Sequence, residues 1–518
     1  MNKSDIDIAA ISARFGLPYK ETIEDSDVDP AFLEKLPLPF VKANMIFPLK
    51  MEEKRLLVAL SAPKDMFALD DVERMLSVHV WPVLSPPQQI LNAIHRFYER
   101  ISGSAQDVVE ELSGESLEAI AQQWEEPKDL LDLTDEAPVI KLLNSLLFQA
   151  VKEKASDVHI EPFERRVDVR FRIDGVLYPV IAPPKIIQDA LISRVKIMAN
   201  MDIAEKRLPQ DGRIRLLVAG KDIDVRVATV PTAFGERAVL RLLDRKGGLI
   251  GLEDIGLQAK QVKVLESLLL QNHGIILVTG PTGSGKTTTL YAALNRINSN
   301  ERNIITIEDP IEYQLNGIGQ IQVNPKINLN FANGLRSILR QDPDIIMVGE
   351  IRDMETAKMA IQASLTGHLV LSTLHTNDAP TAVTRLVDMG IEPFLLSSSL
   401  SAVIAQRLMR VLCPDCKEEY APTEQEIAML QRYNLKKLWR ARGCGRCFKT
   451  GYQGRIGIFE FMQIDQSLRT LLLKNPDSTT VKEYAVAGGM KTIREDGLEK
   501  AATGVTSLEE VLRVTQID

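Results

Sequence analysis

Gly280-Pro281-Thr282-Gly283-Ser284-Gly285-Lys286-Thr287 follows directly on the apolar run Ile275 to Thr279 (IILVT) and opens into TTLYAALNRI at residues 288–297. A short apolar, β-branched run reads as a buried strand, and the segment after the glycines reads as a helix. Two glycines with four residues between them, then Lys and Thr, in a strand–loop–helix setting, form a P-loop. Gly280, Gly283 and Gly285 allow backbone N–H groups to turn toward phosphate oxygens, and the following helix presents its positive end. Lys286 supplies a point charge for the β and γ phosphates, and Thr287 an oxygen for Mg²⁺. The expected nucleotide-binding set is Gly280, Pro281, Thr282, Gly283, Ser284, Gly285, Lys286, Thr287 and Thr288. A glycine-rich turn carrying a solvated lysine is the competing reading, and the complete context argues against it.

Two more apolar strands run into acids. Asn303 to Ile307 leads to Glu308-Asp309-Pro310-Ile311-Glu312, and Ile345 to Val348 leads to Gly349-Glu350-Ile351-Arg352-Asp353. In an open α/β sheet the carboxyl ends of the strands meet at one crevice, so these acids are expected beside the P-loop. Gly349 stands where an aspartate would usually end such a strand, which moves the carboxylate role to Glu350. Glu350 is read as polarising water or reaching Mg²⁺ indirectly, with Glu308, Asp309 and Glu312 supporting the metal and γ-phosphate. A third strand, Leu369 to Leu371, is flanked by His368 and His375. His375, at the carboxyl end, is the candidate γ-phosphate sensor, and His368 is read as a packing residue.

All four cysteines of the chain fall in Cys413-Pro-Asp-Cys416 and Cys444-Gly-Arg-Cys447, with 27 residues between the pairs. Four thiolates in two such knuckles suit a closed, structural zinc site; a redox pair would normally stand alone. From Arg432 to Arg455 there are eight basic residues and no acid. That run could face nucleic acid, an anionic membrane or an acidic partner, or form a solvated face, and charge alone does not choose.

The remaining sequence sets the frame. At 518 residues, several domains are expected. Hydrophobic residues at 45% and charged residues at 25% exclude collagen-like, coiled-coil and wholly disordered classes. A net charge of −8 argues against nucleic-acid binding by the molecule as a whole. With no apolar leader and no run of 18 apolar residues, the chain is expected to be cytoplasmic. Residues 1–100 read as a small α/β domain, 101–137 as an acidic linker, and 138–250 as an α+β domain of alternating strands joined by turns such as Asp174-Gly175 and Asp211-Gly212. Residues 251–518 read as a parallel α/β domain holding a cysteine module at 410–450 and a helical end at 461–518.

With these residues in place, the chain from about Asp132 onward resembles the secretion traffic ATPases of the secretion and type IV pilus assembly superfamily, most closely the type II secretion members (the general secretion pathway E family). The likeness rests on ASDVHIEP (155–162), VRFRIDGVL (169–177), KRLPQDGRI (206–214), GERAVLRLLD (235–244), GPTGSGKTTTLYAAL (280–294), IEDPIEY (307–313), LRQDPDIIMVGEIRD (339–353), TGHLVLSTLHTND (366–378) and GYQGRIGIFE (451–460). The resemblance implies an N-terminal domain docking on an inner-membrane partner, a PAS-like second domain, and a RecA-like motor with an inserted zinc module. It also implies a hexamer with ATP between the second and motor domains. Lys286 and Thr287 match the Walker A motif, Glu308, Asp309 and Glu312 the Asp box, Glu350 the atypical Walker B, and His375 the His box. Arg226 and Arg241 match the phosphate-reaching arginines, with Arg213 and Arg237 on neighbouring strands.

The implied activity is Mg²⁺-dependent ATP hydrolysis that drives pseudopilus assembly and protein export at the cytoplasmic face of the inner membrane. A pilus assembly motor is the runner-up, and a nucleic-acid translocase the alternative from another class. The N-terminal hundred residues match the family only loosely and show no glycine-repeat signature of the cyclic-dinucleotide-binding variants, so no second-messenger site is expected.

Overall fold

The computed structural model describes residues 16–33, 35–36, 40–41, 44–52, 54–62, 66–101, 138–218, 221–244, 250–430 and 437–516. They fall into two compact units, Met1–Lys246 and Gly247–Asp518. The acidic segment read as a linker lies outside the described residues. Among the described residues no helix is long and apolar enough to cross a membrane.

The first unit holds two sheets. Strands β1 (Ile46–Glu52), β2 (Arg55–Leu60) and β3 (Val80–Leu84) form a small sheet, and helices α1 (Phe67–Leu76) and α2 (Pro87–Ile101) contribute to its core through Leu69, Val72, Ile90 and Ile94. The second sheet has six antiparallel strands in the order β6-β5-β4-β9-β8-β7. They are β4 (Asp157–Pro162), β5 (Val167–Ile173), β6 (Val176–Ile181), β7 (Gln210–Val218), β8 (Lys221–Thr232) and β9 (Gly235–Asp244). Its period-2 pattern puts Val158, Ile160, Val169, Phe171, Val225, Val227 and Leu240 on one face, in a core with α3 (Pro138–Lys152) and α4 (Gln188–Met198). The opposite face carries charge.

In the second unit a seven-stranded sheet runs β12-β11-β13-β14-β10-β15-β18. The P-loop strand β10 (Gly274–Thr279) lies between β14 (Leu369–Leu374) and β15 (Leu400–Leu412), with β13 (Ile345–Val348), β11 (Ile304–Glu308) and β12 (Gly319–Gln322) beyond β14. All these pairings are parallel, whereas β18 (Tyr452–Gln463) closes the far edge antiparallel to β15. Strands buried on both faces explain the unbroken apolar runs read from the sequence. Helices α5 (Ala259–Leu269) and α6 (Lys286–Ile297) share a core with one face of the sheet; α7 (Phe331–Ile338), α8 (Met354–Leu365), α9 (Ala379–Asp388) and α10 (Pro393–Ser399) share one with the other.

Between β15 and β18 the chain makes a two-stranded hairpin, β16 (Glu418–Tyr420) and β17 (Leu438–Arg440), with a short helix α11 (Glu424–Met429). Helices α12 (Gln466–Lys474), α13 (Ser478–Ala487), α14 (Ile493–Ala502) and α15 (Leu508–Val514) complete the unit.

Candidate active site

The carboxyl ends of β10, β11, β13 and β14 deliver the candidate residues. Gly280, Gly283 and Gly285 all have positive φ, at 149°, 80° and 87°. A Cβ at Gly280 would lie 2.3 Å from the Gln406 carbonyl oxygen, so this loop requires glycine there. Lys286 is buried, and its Nζ donates to the carbonyls of Gly280 at 2.7 Å and Pro281 at 3.1 Å. Burial pushes its ammonium below the ordinary lysine range, and the nearby Glu350 carboxylate pulls the other way. Thr287 is exposed on the first turn of α6.

Glu350 follows the end of β13. His375 Nε2 lies 3.3 Å from its Oε2, and Arg352 pairs with its Oε1. That contact holds the Arg352 guanidinium above its ordinary range, with Asp309 adding to the effect. The side chain of Glu350 is mostly buried, whereas His375 is half exposed. His375 is held from below: Thr376 N donates to Thr279 Oγ1 at 2.9 Å, locking the end of β14 to the end of β10. His368 accepts a packing role, with Nδ1 2.8 Å from the Ala363 carbonyl.

Glu308 differs from the other acids. It is buried, and its carboxylate accepts from Tyr291 Oη, from Thr306 Oγ1 at 2.6 Å and from Gln320 Nε2 at 3.0 Å. Burial, followed by that contact, raises the Tyr291 phenol above its ordinary range. Glu312 N donates to the same Tyr291 oxygen at 3.4 Å. Thr287 and Asp309 are both exposed and carry oxygen donors of the kind Mg²⁺ takes. Arg352, Tyr291, Gln320 and Thr279 escaped the sequence reading. Tyr291 stands one helical turn after Thr287, a spacing that places it over the strand ends, and this was the available signal.

The second sheet of the first unit shows a row of charge. Arg213 on β7, Arg226 on β8, Arg241 on β9, Asp157 on β4 and Arg172 on β5 are directly opposed from strand to strand. Arg241 Nε donates to Asp157 Oδ1 at 2.9 Å, and Arg213 pairs with Asp224. Two rows on along the same face of β4, the buried Glu161 pairs with Arg170 and Arg237, each at 2.6 Å. Its carboxyl lies below the ordinary range: burial raises it, but the two guanidiniums win.

The four cysteines converge. Their sulfur atoms all lie within 4.8 Å of one another. Cys413–Cys444, Cys416–Cys447 and Cys444–Cys447 Sγ separations are 3.9, 3.7 and 3.7 Å. A tetrahedral zinc with thiolates at 2.3 Å requires edges of about 3.8 Å, so the residues fit the ion. Burial raises the Cys447 thiol, but N–H donors from Cys444 and Gly451 outweigh it and bring it to about 7. The basic run beside these cysteines does not stand as a bare cationic face. Arg440 and Arg442 pair with Glu418, Lys437 with Glu419 and Arg446 with Asp415, all acids that precede the run in sequence. Arg432 and Lys436 lie outside the described residues.

The chain matches the family model for the type II/IV secretion system protein over residues 132–513, and the MshEN domain over 15–103, where residue patterns alone give only a loose likeness. It is 50% identical to the type II secretion system protein E of Pseudomonas aeruginosa over 93% of this chain and 96% of that one. It is also 50% identical to the type II secretion system ATPase E of Vibrio cholerae, over 88% and 91%. The type IV pilus assembly ATPase PilB of Myxococcus xanthus is 42% identical over 98% of this chain and 90% of that one. Among solved structures, the Yersinia pseudotuberculosis ATPase DotB superposes with a TM-score of 0.56 at 20% identity, covering 73% of this chain and 94% of that one, a likeness of fold. A P-loop motor sheet, 50% identity to named secretion ATPases over 88–93% of the chain, and a matching family model agree: the chain belongs to the type II/IV secretion system protein family, among its type II secretion ATPases.

Proposed function

We propose that the chain hydrolyses Mg²⁺-ATP and that this hydrolysis drives pseudopilus assembly and protein export through a type II secretion system. The observation that carries the reading is the meeting of Glu350, His375 and Lys286 at the ends of three adjacent strands. Glu350 orients the attacking water and takes its proton, His375 senses the γ-phosphate, and Lys286 neutralises phosphate charge. Thr287 and Asp309 would hold Mg²⁺, with Glu350 reaching it only indirectly, and the ion would supply charge neutralisation on the phosphates. Glu308, filled by three donors, and Glu312 brace this end of the sheet through Tyr291.

Arg226 and Arg241 are proposed to reach the nucleotide phosphates in the assembled hexamer. Arg226 is directly opposed to Arg213 on one side and Arg241 on the other, and three guanidiniums in one row, the outer two also paired with Asp224 and Asp157, fit an anion-binding duty. Cys413, Cys416, Cys444 and Cys447 are proposed to hold a structural zinc. The domain division at 100, 137 and 250, the contact of the N-terminal domain with inner-membrane platform proteins, and a cytoplasmic, membrane-peripheral location belong to the same reading. The zinc module is a weaker candidate for contact with anionic membrane, since acids cancel much of its charge.

A pilus assembly motor is the second reading, favoured by the 42% identity to PilB over 98% of the chain. The test is Glu350→Gln in the full-length protein. ATP binding should persist while hydrolysis falls at least about 100-fold; a wild-type rate would overturn the assignment. Restoration of secretion, and not of piliation, in cells lacking the corresponding motor would separate the two readings.

A further inference from the structure

Among the buried carboxylates of the motor unit, Asp496 is ion-paired to Lys500 and Glu510 to Arg410 and Arg513. Glu460 on β18, 1% exposed, is held in a different way. Its Oε1 accepts from the backbone N–H of Ala379 at 2.8 Å, and the N–H of Ile493 also bonds its carboxylate. Ala379 is the first residue of α9 and Ile493 the first of α14, so one carboxylate satisfies orphan donors at two helix N-termini.

The strand register explains why this matters for the site. Leu374 on β14, Thr279 on β10, Ala405 on β15 and Glu460 on β18 are directly opposed in turn, and so stand in one row on one face of the sheet. The segment from His375 to Asp378 leaves β14 and passes along this row. Thr279 takes the N–H of Thr376, the small side chain of Ala405 leaves room, and Glu460 takes the N–H of Ala379. Asp378, within the same segment, caps α9 through Thr381 N and pairs with Lys482 of α13 at 3.1 Å. His375 is therefore tethered at its P-loop side by Thr279 and at its far side by Glu460.

We propose that Glu460 is a positioning residue for ATP hydrolysis, fixing residues 375–378 so that His375 stays on Glu350. The inference rests on the catalytic reading above. Burial pushes the Glu460 carboxyl up to about 7, so keeping it ionised costs stability, which suits a residue retained for placement. The same carboxylate links the His375 segment to α14, and α14 is bonded to β18 again through Asp496, which accepts from Phe459 N at 2.9 Å.

The experiment measures kcat and KM for Mg²⁺-ATP in the full-length protein and in its Glu460→Gln, His375→Ala and doubly substituted forms. Glu460→Gln is expected to lower kcat about 10-fold with KM changed less than about 2-fold, and to add no further loss in the His375→Ala background. Ala379→Pro removes the N–H donor at a helix position where proline is tolerated, and should reproduce the kcat loss with Glu460 intact; Ala379→Val, which adds two buried carbons but keeps the N–H, controls for the added volume. The proline variant decides the matter if Glu460→Gln does not fold. A wild-type kcat in the folded variants, or losses that multiply in the double variant, would overturn the inference while leaving the catalytic reading standing. A wild-type rate in His375→Ala would overturn the reading of His375, and the inference with it.

Discussion

The carboxylate of Glu350 is gripped on both oxygens, His375 Nε2 standing 3.3 Å from Oε2 while Arg352 pairs with Oε1. A group held from two sides has little freedom to re-aim. Shortening it by one methylene in Glu350→Asp should therefore pull the carboxylate off both partners and lower kcat about 100-fold, with ATP affinity unchanged. Single-turnover hydrolysis alongside equilibrium nucleotide binding checks this; a parallel loss of affinity would show that the carboxylate serves binding.

Gly280→Ala places a methyl group 2.3 Å from the Gln406 carbonyl oxygen, at a residue with φ of 149°. Neither the backbone of β15 nor the loop can yield cheaply. Nucleotide binding should weaken at least about 10-fold while the rest of the unit keeps its fold. Titration with a fluorescent ATP analogue reads the first effect and far-UV circular dichroism the second.

Tyr291→Phe removes one of the donors to the buried Glu308. A lost hydrogen bond to a buried charged group costs about 1.5–3 kcal/mol. The melting transition of the motor unit should drop by several degrees and recover when Glu308 is also replaced by Gln. Independent, additive losses in the two single variants would contradict the pairing.

Glu460 gives a pH dependence with a definite sign. Its carboxyl is raised by burial from 4.5 to about 7, so the folded chain binds this proton more tightly than the unfolded chain does. Its contribution is fully present below about 4.5 and is lost as pH rises through about 7. Above that, the buried charge costs on the order of 3 kcal/mol. Glu460→Gln should accordingly gain stability relative to wild type between pH 4.5 and 8, read as the difference in melting temperature. A constant difference across that range would refute the linkage.

One zinc per chain is expected, and Cys444→Ser should lose it without changing ATP affinity. The module reports its own state. Trp439 packs so closely on Gly504 that a Cβ there would lie 2.7 Å from the indole, and Lys417 donates to the Gly504 carbonyl at 3.0 Å. Chelation should loosen this contact and shift Trp439 emission, and re-addition of zinc should restore it. Zinc retained at one equivalent in Cys444→Ser would exclude the four-thiolate site.

Most of the motor was legible because its signals are local. IILVT before the glycines, the acids closing Ile345 to Val348 and the paired CxxC knuckles each sit within a few residues, and each has a direct physical reading. What stayed hidden depends on register. Thr279 looks like the last residue of an apolar strand until strand pairing sets it beside Leu374 and Ala405. Glu460 reads as a lone polar residue within the stretch Ile456 to Met462 (IGIFEFM), and only the antiparallel β15–β18 ladder carries it to the His375 segment. The basic run after Arg432 stayed undecided for the same reason: its counter-charges, Asp415, Glu418 and Glu419, come from earlier in the chain and meet it only after β16 and β17 pair.

The β15–β18 ladder has one more implication. Leu412 is directly opposed to Tyr452, so the chain leaves the sheet and re-enters it at a single rung. The cysteine module is thus inserted at a hairpin end, and no strand of the seven-stranded sheet comes from it, yet Leu430 and Leu438 within it are buried in the core of the motor unit. Topology makes the module an insertion, but packing makes it a wall of the engine: removing it would uncover apolar surface and strip Gly504 of its Trp439 and Lys417 contacts.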